Sequence, residues 1–188
     1  TMTLNIKNMV CDRCIMVIRQ QLEQLNFKII HIFLGGVEIL PDPSESQISQ
    51  ISSTLKVLGF ELIDSEKDKL IDRIRTLIIE TIHHTDEPEL HINFTELLAQ
   101  KLNKDYAYLS RLFSESEDST LEKFIIQQKI EKVKELLQYG QLNLNEIAYK
   151  MGYSSSAHLS TQFKGVTGLT PSQFKASAHL DRKALDKV

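Results

Sequence analysis

FTELLAQKLNKDYAYLSRLF (Phe94–Phe113) and LNEIAYKMGYSSSAHLSTQF (Leu144–Phe163) are two versions of one pattern, and they decide how the second half of the chain folds. Leu98-Ala99 aligns with Ile147-Ala148 and Leu102 with Met151 at an offset of 49 residues; past the turn Leu109 aligns with Leu159 and Phe113 with Phe163 at 50. Each copy reads as helix, turn, helix. The first helix ends in a residue that tolerates a left-handed backbone, Asn103 or Gly152. A capping residue, Asp105 or Ser154, then opens the second helix. A small residue, Ala99 or Ala148, permits the two helices to cross closely. The second helix keeps Leu109, Leu112 and Phe113, or Leu159 and Phe163, on one face and leaves the other polar. Between the copies, Leu121, Phe124, Ile125, Val133, Leu136 and Leu137 outline a long helix closed near Gly140. About 17 residues at 1.5 Å each give it roughly 25 Å.

Upstream, Leu70, Ile71, Ile74, Leu77, Ile78 and Ile82 mark a further amphipathic helix. The stretch HHTDEPELH (His83–His91) reads as a polar connection, and the final HLDRKALDKV is expected to fray. His83, His84 and His91 suggest a second metal site on paper, but histidines in such a connection read more simply as solvated.

The first 64 residues follow a different rhythm. Thr3–Asn8 alternates apolar and polar residues. Ile15, Ile18, Leu22 and Leu25 then give a helical stripe, and Phe27–Leu34 is a strand turning at Gly35-Gly36 into Val37–Leu40. Ser44 with Gln47 forms a capping box for a helix carrying Ile48, Ile51, Leu55 and Leu58. Gly59 ends that helix and Phe60–Ile63 is a last strand. The order βαββαβ predicts a ferredoxin-like sandwich, two helices over one face of a four-stranded antiparallel sheet. The fold class is therefore α+β, with domains expected at residues 1–65 and 66–188.

Bulk properties limit the function. The 188 residues are 41% hydrophobic with no tryptophan, and no apolar run nears the roughly 20 residues of a bilayer span. No secretion signal is legible, and Thr1 ahead of Met2 reads as an addition to a native start. Both cysteines lie together at Cys11 and Cys14, a metal or redox spacing that suits the cytoplasm. The net charge of -3 is unevenly spread: residues 119–188 hold ten Lys/Arg against six Asp/Glu, whereas residues 66–118 hold seven against twelve. Affinity for phosphate should concentrate in the last third. With no phosphate loop, no Ser-His-Asp order and no paired carboxylates in a credible pocket, an enzyme is not expected.

IAYKMGYSSSAHLSTQFKGVTGLTPSQFK (Ile147–Lys175) resembles the signature of the AraC/XylS family, with Gly168, Thr170, Pro171 and Phe174 as that signature has them, Tyr153 for its Phe after Gly152, and Leu159 for its first helix Phe. The resemblance extends from about Leu70 to Lys175. It implies a sequence-specific DNA-binding transcriptional regulator whose two recognition helices enter successive major grooves, roughly 34 Å apart, with some DNA bending. Carried over by position, the base-reading candidates are Ala107, Ser110 and Arg111 in the first helix. In the second they are Ser156, Ala157 and Thr161, with His158 and Gln162 beside them. Only Arg111 among these is built for a bidentate contact to guanine. Lys164 and Lys150 are phosphate candidates, together with backbone N–H groups at the helix starts. Double-stranded DNA, RNA polymerase and a second copy of the chain are the implied partners; no membrane is. This chain departs from the family at Asp118, where Gly is usual, and at Lys129, where Arg is usual. The acidic ESED (Glu115–Asp118) would repel phosphate beside the first recognition helix.

NMVCDRC (Asn8–Cys14) joins the first strand to the first helix. A loop at a helix N-terminus lowers thiol pKa, and two close thiolates grip a soft ion. With the βαββαβ order, residues 3–64 resemble a heavy-metal-associated domain, although Asn8 replaces the usual Gly. That resemblance implies copper(I) or zinc at Cys11 and Cys14, with Met9 packed beneath. The alternatives are a retained fold whose cysteines bind no metal, and, for the whole chain, a copper-chaperone-like trafficking protein whose helical half docks a partner. A thioredoxin-like redox role is disfavoured by Val10, where that motif has an aromatic residue.

Overall fold

The computed structural model describes residues 1–85, 91–177 and 185–187. The middle of the expected polar connection, residues 86–90, lies outside them, as does the expected fraying of the C-terminus apart from a 3-10 turn at Leu185–Lys187. The chain groups into two compact units, Thr1–Thr76 and Leu77–Val188.

The first unit is the ferredoxin-like sandwich. Strand β1 (Met2–Lys7), helix α1 (Asp12–Gln24), strands β2 (Lys28–Phe33) and β3 (Gly36–Leu40), helix α2 (Glu45–Val57) and strand β4 (Glu61–Leu62) follow in that order. The sheet is antiparallel throughout, in the order β2-β3-β1-β4. Alternation in β1 puts Leu4 and Ile6 on the side where Val37 and Ile39 of β3 also point. Ile18 and Leu22 of α1 and Ile51 and Leu55 of α2 close over them in one core. Ser44 caps α2 through a complete capping box with Gln47. Leu58, expected on the apolar stripe, is 43% exposed because α2 has ended before it. β4 is short as a ladder, yet the Ile63 N–H still donates to the Asn5 carbonyl at 2.9 Å. Gly35 takes φ +94° at the β2–β3 turn, where an added Cβ would stand 3.3 Å from the Asp72 carboxylate, so both backbone and space select glycine.

Helix α3 (Glu66–His83) runs through the point at which the two units divide, with Ile71 and Ile74 buried before it and Ile78, Ile79 and Ile82 after it. The second unit is all helical: α4 (Phe94–Leu102), α5 (Tyr106–Ser116), α6 (Leu121–Tyr139), α7 (Leu144–Lys150), α8 (Ser156–Thr167) and α9 (Pro171–Ala176). Thr170 caps α9 with Gln173 as its reciprocal partner and Pro171 at the first turn. Phe113, Phe124 and Phe163 are fully buried at the centre of this unit. His83 departs from the solvated linker expected of it: it sits in the last turn of α3, and its Nε2 lies 2.9 Å from Gln128 Oε1. Burial pushes its pKa down to about 4, against the opposing pull of that hydrogen bond. His91 meets the edge of the Tyr149 ring at 5.4 Å, while His84 is exposed. No group of three or more His, Cys, Asp or Glu gathers as a metal site among the described residues, and no helix there is long and apolar enough to cross a membrane.

Candidate nucleic-acid interface

Both repeats fold as paired helices. In the first, α4 ends at Asn103, whose φ of 49° and ψ of 46° are left-handed, and α5 begins three residues later. In the second, α7 ends at Met151, Gly152 takes φ 73°, and α8 begins at Ser156. The inserted residue of the repeat is thus taken up in the turn. Asp105 holds the extended cap backbone of α5 but makes no side-chain cap bond. The cap of α8 is Ser155, not Ser154: its hydroxyl accepts from the His158 N–H at 3.0 Å. Three serines in a row satisfy the capping preference equally, so residue type alone does not choose among them.

α5 buries Leu109, Leu112 and Phe113 and leaves Ala107 and Arg111 exposed, with Ser110 half-buried at the margin. α8 buries Leu159 and Phe163 and exposes Ala157, His158, Thr161 and Lys164, with Ser156 and Gln162 half-buried at the margins. Lys150 is half-buried in the last turn of α7. The residues carried over by resemblance therefore lie on the outward sides and flanks of the two second helices.

Several of them are engaged within the protein. The Ser110 hydroxyl donates to Glu122 Oε1 at 3.3 Å, and Tyr106 donates to the same oxygen at 2.8 Å. Glu122 stands in the first turn of α6; N–H donation from its own backbone, then the Tyr106 hydroxyl, hold its pKa down. Burial raises that of Tyr106, so the phenol keeps its proton and donates. The carboxylate thus ties α5 to α6 and places a negative charge next to Ser110.

At the second motif Tyr153 is the organiser. It is buried, and burial pushes its pKa up to about 12. Its hydroxyl donates to Gln162 Oε1 at 2.6 Å, and its ring meets His158 edge-on at 5.4 Å. Ser154 Oγ lies 3.1 Å from His158 Nδ1. Gln162 and His158, one helical turn apart, are thereby both set by a residue in the turn. Neither contact has a signal in the repeat pattern, whose first copy has Lys104 at the place of Tyr153.

α6 is longer than its apolar stripe implied, 19 residues between the Thr120 cap and a left-handed Gly140, or about 28 Å. Its buried side includes Gln128, Glu131 and Lys134 beside the expected apolar residues, and the capping hydroxyl of Thr120 accepts from the Lys123 N–H at 3.2 Å. Glu131 and Lys134 pair at 2.7 Å with only 5% and 10% of their side chains exposed. Lys129 turns inward, its ammonium 5.7 Å from the Phe94 ring centroid, 5.6 Å from that of Tyr153 and 3.5 Å from the Met151 carbonyl.

In the first compact unit, Cys11 is the cap residue of α1 and Cys14 lies in its first turn, with sulfurs 3.6 Å apart. Cys14 Sγ lies 3.9 Å from the Asn8 carbonyl. Asn8 takes φ 72°, the left-handed backbone that glycine would adopt freely, and its amide donates to the Gly59 carbonyl at 2.9 Å. Met9 is 2% exposed and joins the sandwich core. Burial opposes ionisation of both thiols. At Cys11 the N–H groups of Cys14 and Arg13, the second thiol and the Arg13 charge outweigh burial, and the pKa falls. At Cys14 burial prevails and the pKa rises, so the helix start eases ionisation of only one of the pair.

Residues 98–177 match the helix-turn-helix domain family, a span that takes in most of the first motif, α6 and the whole of the second motif. The chain is 32% identical over 78 residues to the Msm operon regulatory protein of Streptococcus mutans serotype c (strain ATCC 700610 / UA159), a stretch that is 42% of this chain and 28% of that protein. It is 35% identical over 69 residues to an uncharacterized HTH-type transcriptional regulator in the cgkA 5' region of Pseudoalteromonas carrageenovora, 37% of this chain and 40% of that one. Less than half the length of either relative is therefore spanned. Among solved structures, the C-terminal domain of AraT, a response regulator from Geobacillus stearothermophilus, is similar at a TM-score of 0.49 and 27% identity, covering 63% of this chain and 97% of that one. The matched relatives are an operon regulatory protein and a transcriptional regulator.

Proposed function

We propose that this chain is a sequence-specific, DNA-binding transcriptional regulator of the AraC type, acting in the cytoplasm on double-stranded DNA. The observation that carries this reading is the duplicated motif itself. Each second helix hides its leucine and phenylalanine and turns outward a face of short polar and basic side chains, the shape and chemistry that a major groove accepts. The helix-turn-helix match over both copies supports it. RNA polymerase contact and self-association belong to the same reading. Gel-shift of the full chain on a randomised duplex library, repeated across a salt series, tests it. Enrichment of a defined site with salt-sensitive affinity is expected. Absence of any duplex binding would favour the trafficking reading, in which the helical half docks another protein.

A second element of the proposal is a soft-metal site in the N-terminal module. Two sulfurs 3.6 Å apart lie within reach of one soft ion with metal–sulfur bonds of about 2.3 Å. Copper(I), or zinc with further donors, is the ion that such a thiolate pair would take. Metal content after anaerobic purification tests this: the double variant Cys11→Ser/Cys14→Ser should lose what the wild type retains, and equal content in both sinks the site.

A further inference from the structure

Lys129 lies in mid-α6, between the two motifs in sequence and against both in space. A lysine at the centre of a long helix ordinarily runs its stem along the surface and keeps its ammonium in water. This one is turned inward. Phe94, on one side, is the first residue of α4 and belongs to the first motif; Tyr153, on the other, belongs to the turn of the second. Met151, whose carbonyl accepts from Lys129 Nζ at 3.5 Å, caps the first helix of that second motif. The ammonium is thus shared by two aromatic faces and a helix end, with one long hydrogen bond among the described residues. Attraction of a cation to ring faces strengthens when water is excluded, and burial does lower the Lys129 pKa.

We propose that Lys129 is a positioning residue: its ammonium, held between Phe94 and Tyr153, sets the first helix-turn-helix motif against the second so that both engage one duplex at a fixed spacing. This rests on the DNA-binding reading above and goes beyond it. Two linked binding elements gain affinity from each other only when their geometry permits simultaneous contact. Loosening the ammonium's hold leaves each motif intact but lets their relative setting drift. A loss of coupling should therefore appear without a matching loss in either motif alone.

The test uses the full chain and the duplex it selects from a randomised library. Three probes are compared: the selected duplex, the same duplex with one half-site scrambled, and the same duplex with about 5 bp, half a helical turn, inserted between half-sites. For the wild type, either change should weaken binding by about tenfold or more. Lys129→Met keeps the stem and its packing but removes the charge. It should bind the scrambled probe within about twofold of wild type, lose about tenfold on the intact probe, and show a much smaller insertion penalty. Lys129→Arg keeps a cation that stacks on aromatic rings and should restore most of the penalty. If Lys129→Met melts out, Phe94→Leu removes one ring face and should produce the same decoupling. Equal losses on intact and scrambled probes, or an unchanged insertion penalty in a folded variant, overturn the proposal while leaving DNA binding in place. A wild-type chain that selects no duplex overturns both.

Discussion

Tyr153 stands where the resembled family signature has phenylalanine, and its hydroxyl is what binds Gln162. A glutamine reads adenine by offering donor and acceptor together. With one acceptor site of Oε1 taken by the phenol at 2.6 Å, the amide N–H donors of Gln162 gain weight, which favours a guanine edge or a phosphate oxygen. Tyr153→Phe should release that oxygen, broaden selection toward adenine at one position and cost about 1 kcal/mol of folding stability; site selection and urea unfolding measure the two. Arg111, exposed on α5, is the first motif's only fork-shaped donor among the carried-over residues. Arg111→Ala is expected to cost roughly 1–3 kcal/mol on the selected site and to relax one base, whereas an equal loss on every sequence would make it a phosphate contact. None of this local wiring was legible beforehand. The resemblance supplied positions, but the bonds from Tyr153 to Gln162 and from Ser110 to Glu122 span turns and helix ends that periodicity does not connect.

Among the elements, α6 shows where a hydrophobic pattern stops being informative. Its leucines, isoleucines and valine predicted a helix and its closing glycine, and both are found. The buried Glu131–Lys134 pair was not foreseen, because charged residues in a helix ordinarily mark the solvated face. Desolvating two charges is costly, and each here offsets part of the cost for the other. Glu131→Ala should therefore destabilise the protein by about 3 kcal/mol by removing a buried partner of the Lys134 ammonium, which lies 6.0 Å from the Phe174 ring. The double variant Glu131→Leu/Lys134→Met should recover most of that loss; thermal and urea unfolding of both variants provide the check. The sandwich was more readable, since alternation in β1, the Gly35-Gly36 turn into β3, matched stripes on α1 and α2 and the Ser44 cap all agree on one fold.

For the molecule as a whole, two buried groups, one in each compact unit, carry opposite responses to acid. Asp72, in the first, has its pKa raised to about 6 by burial, in spite of Arg75 and Lys7 nearby. A raised acid stabilises the fold below its ordinary value near 3.8, and that contribution is lost as pH climbs through about 6. His83, in the second, has a folded value near 4 against an ordinary 6.5, so its contribution is present above 6.5 and lost as pH falls toward 4. The two slopes oppose each other over nearly the same interval. Asp72→Asn should raise stability at pH 7 by on the order of 2 kcal/mol and remove the decline between pH 4 and 6. His83→Gln should instead flatten the loss on acidification; urea unfolding at half-unit pH steps separates them. Composition and spacing could not announce this, because the ordinary value of each group is set aside chiefly by its burial.

The carboxylate of Glu122 beside the first recognition helix has a consequence for the order of events on a polyanion. On the DNA-binding function proposed above, with Glu115 and Asp118 exposed nearby and Lys164 exposed on the other motif, the long-range field would draw the second motif to the duplex first. Arrival would then be one-footed and hastened by low salt. The second footfall would close over a short range against local repulsion and govern how long the complex lasts.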